Sequence, residues 1–232
     1  MIAPLQASKH ANTRIKADPG FQHVKDQHIA PVVAHEFVQA ATEYPIVFVK
    51  NGENEQFQAV VMLGLKPEEN LFCGDKWQGI YIPAAIGHYP LMLVPDAKNE
   101  GQMIVAVKED SELLSETEGN QLYTEQGEPT EYFEMRKQKL GQYVEASQFT
   151  HHFVAHLAEL GLLHTQTLTV RFNEQSVNLN GVYMVDEKKL NELDDDKFAD
   201  LRKRGLLGPI YAHLTSLQQI NRLAHMKAQK QA

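Results

Sequence analysis

A chain of 232 residues is long enough to bury a stable core without disulfides or metals, and 43% hydrophobic with 22% charged residues is an ordinary globular composition. A formal net charge of -8 at pH 7 argues against a nucleic-acid binder, which needs clustered Lys and Arg against phosphate, and disfavours anionic membrane surfaces. The lone cysteine, Cys73, cannot close an intramolecular disulfide, and neither a leader-like apolar run nor a membrane-length apolar window is visible, so the expectation is a cytoplasmic protein.

Residues 1 to 27 are polar and aperiodic and are expected as an extended arm. Pro31 suits the first turn of a helix that Val32, Val33 and His35 to Ala41 continue, and Pro45 stops it near Tyr44. Ile46 to Val49 is β-branched and aromatic, Asn51-Gly52 is a tight-turn pair, and Gln56 to Leu65 is the return strand, so the pattern predicts a hairpin. Next comes Trp77 to Pro90, WQGIYIPAAIGHYP, which packs the only tryptophan, two tyrosines, two prolines and two glycines into fourteen residues. Aromatics supply buried area, prolines fix φ and glycines permit close approach, so the segment is a structural corner or a pocket wall. Within it Ile80 to Ala85 is expected as a strand. Leu91 to Val94 and Met103 to Val107 follow as strands joined by the polar PDAKNEGQ.

Glu109 to Glu128 is acidic and turn-rich, and without the oxygen spacing of a calcium loop it reads as a solvated connector. From Thr130 to Leu163, Phe133, Leu140, Val144, Phe153, Leu157 and Leu160 recur at helical spacing, which predicts the longest helix, ended at Gly161 and interrupted near Gly141. Leu168 to Phe172 and Val177 to Leu179 form a second hairpin around Asn173-Glu174-Gln175, and Val182 to Val185 follows. Asp186 and Asp194 are N-caps, Gly205 closes the second of their helices, and a final helix runs from Gly208-Pro209 through Leu223 before a fraying tail. The fold class is α+β: an antiparallel sheet packed by helices, with the long helix, a small hairpin and further helices in the C-terminal half. The chain is expected as one domain, mainly β over 28–128 and mainly helical over 129–232, with its hairpin region at 167–185. Amphipathic helices leave room for a homodimer.

The candidate binding residues are Trp77, Tyr81, His88 and Tyr89, because large, stiff, amphipathic rings beside polar groups suit recognition of a protein, a peptide or a small aromatic ligand. His152 and His156 fall four apart on one helix face with Glu159 three further on, an N/N/O spacing compatible with a zinc or iron site, although HExxH is absent. Cys73 reads as a small buried hydrophobe, and His213 with Ser216 as a core or capping pair, since no GxSxG elbow accompanies them. No catalytic residue and no cofactor are assigned.

Several blocks, taken in order, resemble the SapC family. They include Tyr44-Pro45-Ile46-Val47-Phe48, Asn70-Leu71-Phe72, Trp77, Tyr81, Tyr89-Pro90, the LLSETEGNQLY segment and Ile210 to Leu214. Gly87-His88 stands where the family pattern has paired arginines. The resemblance implies a bacterial protein associated by name with a surface layer, with no catalytic residue to carry over. The absence of a catalytic set motivates the expectation of a non-catalytic accessory or binding protein of the SapC type, contacting a protein, peptide or small aromatic ligand through the aromatic segment. The alternatives are an enzyme or accessory in oxidative, halogenase-associated tailoring or nutrient handling, with metal held by His152, His156 and Glu159, and a structural surface-layer component.

Overall fold

A computed structural model describes residues 1–52, 54–97, 99, 101–173 and 175–231. Parts of the expected PDAKNEGQ connector (Lys98, Glu100), the second hairpin turn (Glu174) and the tail (Ala232) lie outside the described residues. In chain order the elements are β1 Ile2–Pro4, α1 Ala7–His10, β2 Arg14–Ile15, β3 Ile29–Pro31, α2 Phe37–Ala40, β4 Ile46–Lys50, β5 Phe57–Met62, α3 Ala84–Gly87, β6 Leu91–Pro95 and β7 Met103–Lys108. They continue with β8 Leu114–Ser115, β9 Asn120–Gln121, α4 Glu131–Glu159, β10 Leu163–Thr165, β11 Leu168–Phe172, β12 Gln175–Leu179, β13 Val182–Val185, α5 Glu187–Asn191, α6 Asp195–Lys203, α7 Leu207–Ser216 and α8 Ile220–Gln231. The architecture is α+β, with antiparallel sheets and helices. No described helix is long and apolar enough to cross a membrane.

The chain divides into two compact units. One joins Met1–Pro19 to Ala84–Glu145, and the other joins Gly20–Pro83 to the residues from Ala146 onward. In the first, β1, β7 and β6 form one antiparallel sheet, with Ala3 opposite Val107 and Leu91 also opposite Val107. A second small sheet has the order β8-β2-β9. The core gathers Ile15, Leu91, Val107, Leu122, Phe133 and Leu140, the last two from α4. Residues 1 to 27 therefore do not trail as an arm. Ile2 to Pro4 adds a strand to β7, Leu5 and Ala7 pack on the core, and buried Ile15 secures β2 between β8 and β9.

The second unit holds a five-stranded antiparallel sheet, β10-β13-β4-β5-β3. The hairpin predicted at Asn51-Gly52 is present, with Ile46 opposite Val61 and Lys50 opposite Phe57. Ile46 to Phe48 and Ala59 to Met62 are continuously buried, as strands covered on both faces must be. Pro31 ends the edge strand β3, opposite Val60, and does not start a helix. A sheet edge tolerates its missing N–H, so the proline was compatible with either role. The helix behind it is short, a 3-10 turn at Ala34–Glu36 followed by α2.

Helix ends follow the sequence closely. Gly161 and Gly205 take positive φ, 67° and 71°. Each allows a paired closure: Leu162 N–H donates to Leu157 O at 3.0 Å, and Leu206 N–H to Leu201 O at 2.9 Å. Asp186 accepts from Lys189 N–H at 3.1 Å and caps α5. Two expectations differ. α4 passes through Gly141 unbroken, its buried Leu140, Phe153 and Leu157 carrying the helix on both sides. The final helix is interrupted by a 3-10 turn at Leu217–Gln219, just after Ser216 Oγ donates to His213 O at 2.6 Å and competes with the helical ladder.

Candidate functional site

The expected site residues divide between the units: Trp77 and Tyr81 belong to the second, His88 and Tyr89 to the first. Trp77 is 8% exposed, and its ring stacks on Phe72 with centroids 5.6 Å apart while the edge of Phe21 meets it. Its indole N–H donates to Tyr44 Oη at 2.8 Å, and Tyr44 in turn donates to the carbonyl of Tyr81. Buried Glu43 gathers the next stretch of backbone, accepting from Ile80 N–H and Tyr81 N–H, each at 2.8 Å, and from Arg222 Nη1 at 3.1 Å. Those bonds explain why Ile80 to Ala85 is no strand: a carboxylate takes the N–H groups a neighbouring strand would need. Gly79 is required here, because a Cβ would stand 2.6 Å from Glu43 Oε2 and 2.7 Å from Tyr44 Oη.

The Tyr81 hydroxyl donates to Glu36, whose other oxygen accepts Val33 N–H at 3.1 Å. Burial pushes the phenols of both Tyr44 and Tyr81 well above their usual range, so both remain protonated donors. Arg222 lies 5.4 Å from the Phe72 ring centroid and also donates to Gln78 O at 2.9 Å. A cleft of about 480 Å³ opens beside Thr42, Glu43, Trp77, Gln78, Ile80 and Arg222. Its polar groups bind one another and shape the corner. Ile80, an apolar side chain, is 97% exposed there.

The other half of the segment has a different character. α3 ends at Gly87, and Arg136 of α4 reaches the carbonyls there, donating through Nη2 to His88 O at 2.7 Å and through Nη1 to Tyr132 Oη at 2.8 Å. A capping cation satisfies carbonyls left over at a helix end, so α4 fixes the path of Gly87 to Tyr89. Beyond it, a cleft of about 250 Å³ is lined by His88, Tyr89, Met92, Leu93, Leu140 and Tyr143, with Ala85, Leu91 and Val144 completing the wall. The His88 and Tyr143 ring centroids are 5.2 Å apart. Burial, followed by the charges of Arg136 and Lys139, pushes the His88 imidazole down to about 4. It is therefore neutral at pH 7, with one nitrogen a donor and the other an acceptor.

Leu140 and Val144 were legible only as part of a helix stripe, and Tyr143 was not singled out. The signal that marks them is the mixed face Arg136, Leu140, Tyr143, Val144, in which a cation and a phenol share the spacing of core residues. The remaining candidates have structural partners. His213 is fully buried; Nδ1 faces Ile46 O at 2.8 Å and Nε2 accepts Val185 N–H at 3.1 Å. Ser216 Oγ accepts Ile46 N–H at 2.9 Å. The pair thus ties α7 to β4 and β13, as a core role requires. Burial pushes His213 down to about 4, which keeps it neutral for both bonds. His156 faces Glu159 at 3.6 Å and Asp200 at 3.5 Å, while His152 is exposed. Among the described residues no three His, Cys, Asp or Glu side chains group as a metal ion would need, so the His152, His156 and Glu159 spacing does not become a site. Cys73 is half-buried, not the buried hydrophobe expected, and donates its thiol to the carbonyls of Gly20 and Phe21 at 3.0 and 3.3 Å.

The class these features define is an α+β protein of antiparallel sheets packed by helices, with its aromatic segment held in place by α4 at one end and by Glu43 at the other. The SapC family model matches residues 5–223, and the chain belongs to the SapC family. No curated protein matches the chain, and no solved structure does.

Proposed function

We propose that this chain is a non-catalytic accessory or binding protein of the SapC type, which takes the ring of an aromatic ligand, free or carried by a peptide or protein partner, into the His88–Tyr143 cleft. The supporting observation is the cleft's size together with its lining. About 250 Å³ falls below the roughly 300–1,000 Å³ of ordinary small-molecule pockets, yet a dry cavity of about 150 Å³ accepts a benzene ring. The space fits one ring. Aliphatic Leu93, Leu140 and Val144 supply contact area, Tyr143 an aromatic wall, and neutral His88 a hydrogen bond that orients the guest. No serine, threonine, cysteine or carboxylate lines it among the described residues, which favours holding over bond-making. We place the protein in the cytoplasm as part of the same reading, on its single thiol. Cell fractionation tests the location.

Calorimetric titration with single-ring aromatics tests the binding. Saturable binding that Tyr143→Ala weakens at least about tenfold, and that Ile80→Ala leaves unchanged, is the expected result. Binding that survives Tyr143→Ala and His88→Ala but disappears in Ile80→Ala moves the site to the Glu43 corner and refutes the proposal.

A further inference from the structure

The rim of the His88–Tyr143 cleft is cationic, and the lining is not acidic. On α4, Arg136, Lys139, Leu140 and Tyr143 follow at i, i+3, i+4 and i+7 and share one face. Leu140 and Tyr143 line the cleft, and the charges of both Arg136 and Lys139 reach His88. Arg136 Nη2 lies 2.7 Å from His88 O and 3.4 Å from Tyr89 O, so its guanidinium sits on the backbone of two lining residues. Lys139 is exposed and has no ion-pair partner among the described residues. From β7, Lys108 Nζ stands 6.0 Å from the Tyr89 ring centroid, although it also feels Asp110. Cations around an apolar slot favour a guest that is greasy at one end and negative at the other.

From this juxtaposition we propose that the guest is a single-ring carboxylate: the ring enters between Leu140, Tyr143 and His88, and the carboxylate stays at the rim toward Lys139 and Arg136. The assignment rests on the cleft being the binding site and adds the sign of the ligand's charge. Its neutral imidazole lets His88 face the ring without opposing a cation of its own to the guest's orientation, and offers one N–H to the acid. An amine of the same shape meets two like charges and is rejected.

The test compares phenylacetate with phenylacetamide and phenethylamine by calorimetry at low and high salt, in the full chain and in Lys139→Gln. Phenylacetate is expected to bind about fivefold or more tighter than the amide, and Lys139→Gln to lower its affinity about threefold without affecting the amide, as befits a partly exposed ion pair. Salt should shrink the difference, since the screening length falls from about 10 Å at 0.1 M to about 3 Å at 1 M. Arg136→Lys, which keeps the charge, should retain the preference even if the cap on α3 loosens. Equal binding of acid and amide, both lost in Tyr143→Ala, overturns the carboxylate assignment and leaves the cleft intact as the site. Tighter binding of phenethylamine overturns it as well. Binding of none of the three at millimolar concentration overturns both the assignment and the proposed function.

Discussion

Trp77 to Tyr81 and His88 to Tyr89 lie in one aromatic segment of fourteen residues, yet they meet opposite fates. At the first corner each polar atom finds an internal partner: the indole on Tyr44, the Tyr81 hydroxyl on Glu36, the Ile80 and Tyr81 N–H groups on Glu43. At the second, one α4 arginine fixes the backbone, and the rings beyond it line open apolar space. Aromatic richness is therefore no guide to recognition by itself. What separates a buried brace from a cleft wall is where the hydrogen bonds go and whether neighbouring side chains fill the volume.

The largest expected effect comes from treating Trp77 as a brace. Trp77→Ala should destabilise the second unit by about 3–5 kcal/mol in urea unfolding, the cost of removing a large buried ring. Aromatic binding in the protein that remains folded should be unchanged. A mild effect on stability joined to lost binding would reverse the roles of the two corners.

The acid side of the stability profile should be governed by His213. Its folded imidazole titrates near 4 against 6.5 in the unfolded chain, so the unfolded state binds more protons between those values. Stability is complete above about pH 6.5 and falls as the pH drops toward 4, by about 3 kcal/mol at about 1.4 kcal/mol per pH unit. His88 is shifted in the same direction and adds a smaller contribution, because it is more solvated. His213→Gln should flatten most of this slope, read from unfolding midpoints between pH 4 and 7. An unchanged slope contradicts the buried neutral imidazole.

Glu43→Ala follows, at about 1–3 kcal/mol, since it strips the acceptor from two backbone N–H groups. Faster amide exchange at Ile80 and Tyr81 checks it. An effect of no more than the same size is expected of Val144→Phe, which places a further ring in the cleft. It should block aromatic ligands while lowering the unfolding free energy by about 1–3 kcal/mol at most.

Local signals made much of the fold legible. Asn51-Gly52 marked the β4–β5 hairpin, Asp186 the start of α5, and Gly161 and Gly205 two helix ends, because each acts through backbone geometry within a few residues. The errors arose where a distant group decided. Pro31 reads equally as a helix start or an edge-strand end until β5 pairs with it. Ile80 to Ala85 reads as a strand until Glu43, nearly forty positions earlier, claims the N–H groups of Ile80 and Tyr81. The cleft was half legible: His88 and Tyr89 stood out by composition, whereas Leu140 and Val144 looked like the inner stripe of a helix and Tyr143 carried no signal of its own. Only the packing of α4 beside α3 and β6 shows that this part of the stripe faces open space.

The comparison is tested most directly by following side-chain NMR resonances during titration with a single-ring aromatic. His88 and Tyr143 signals should shift and saturate together while those of Trp77 and Tyr81 stay in place. Saturable shifts at Trp77 and Tyr81 with His88 and Tyr143 unmoved would contradict the account.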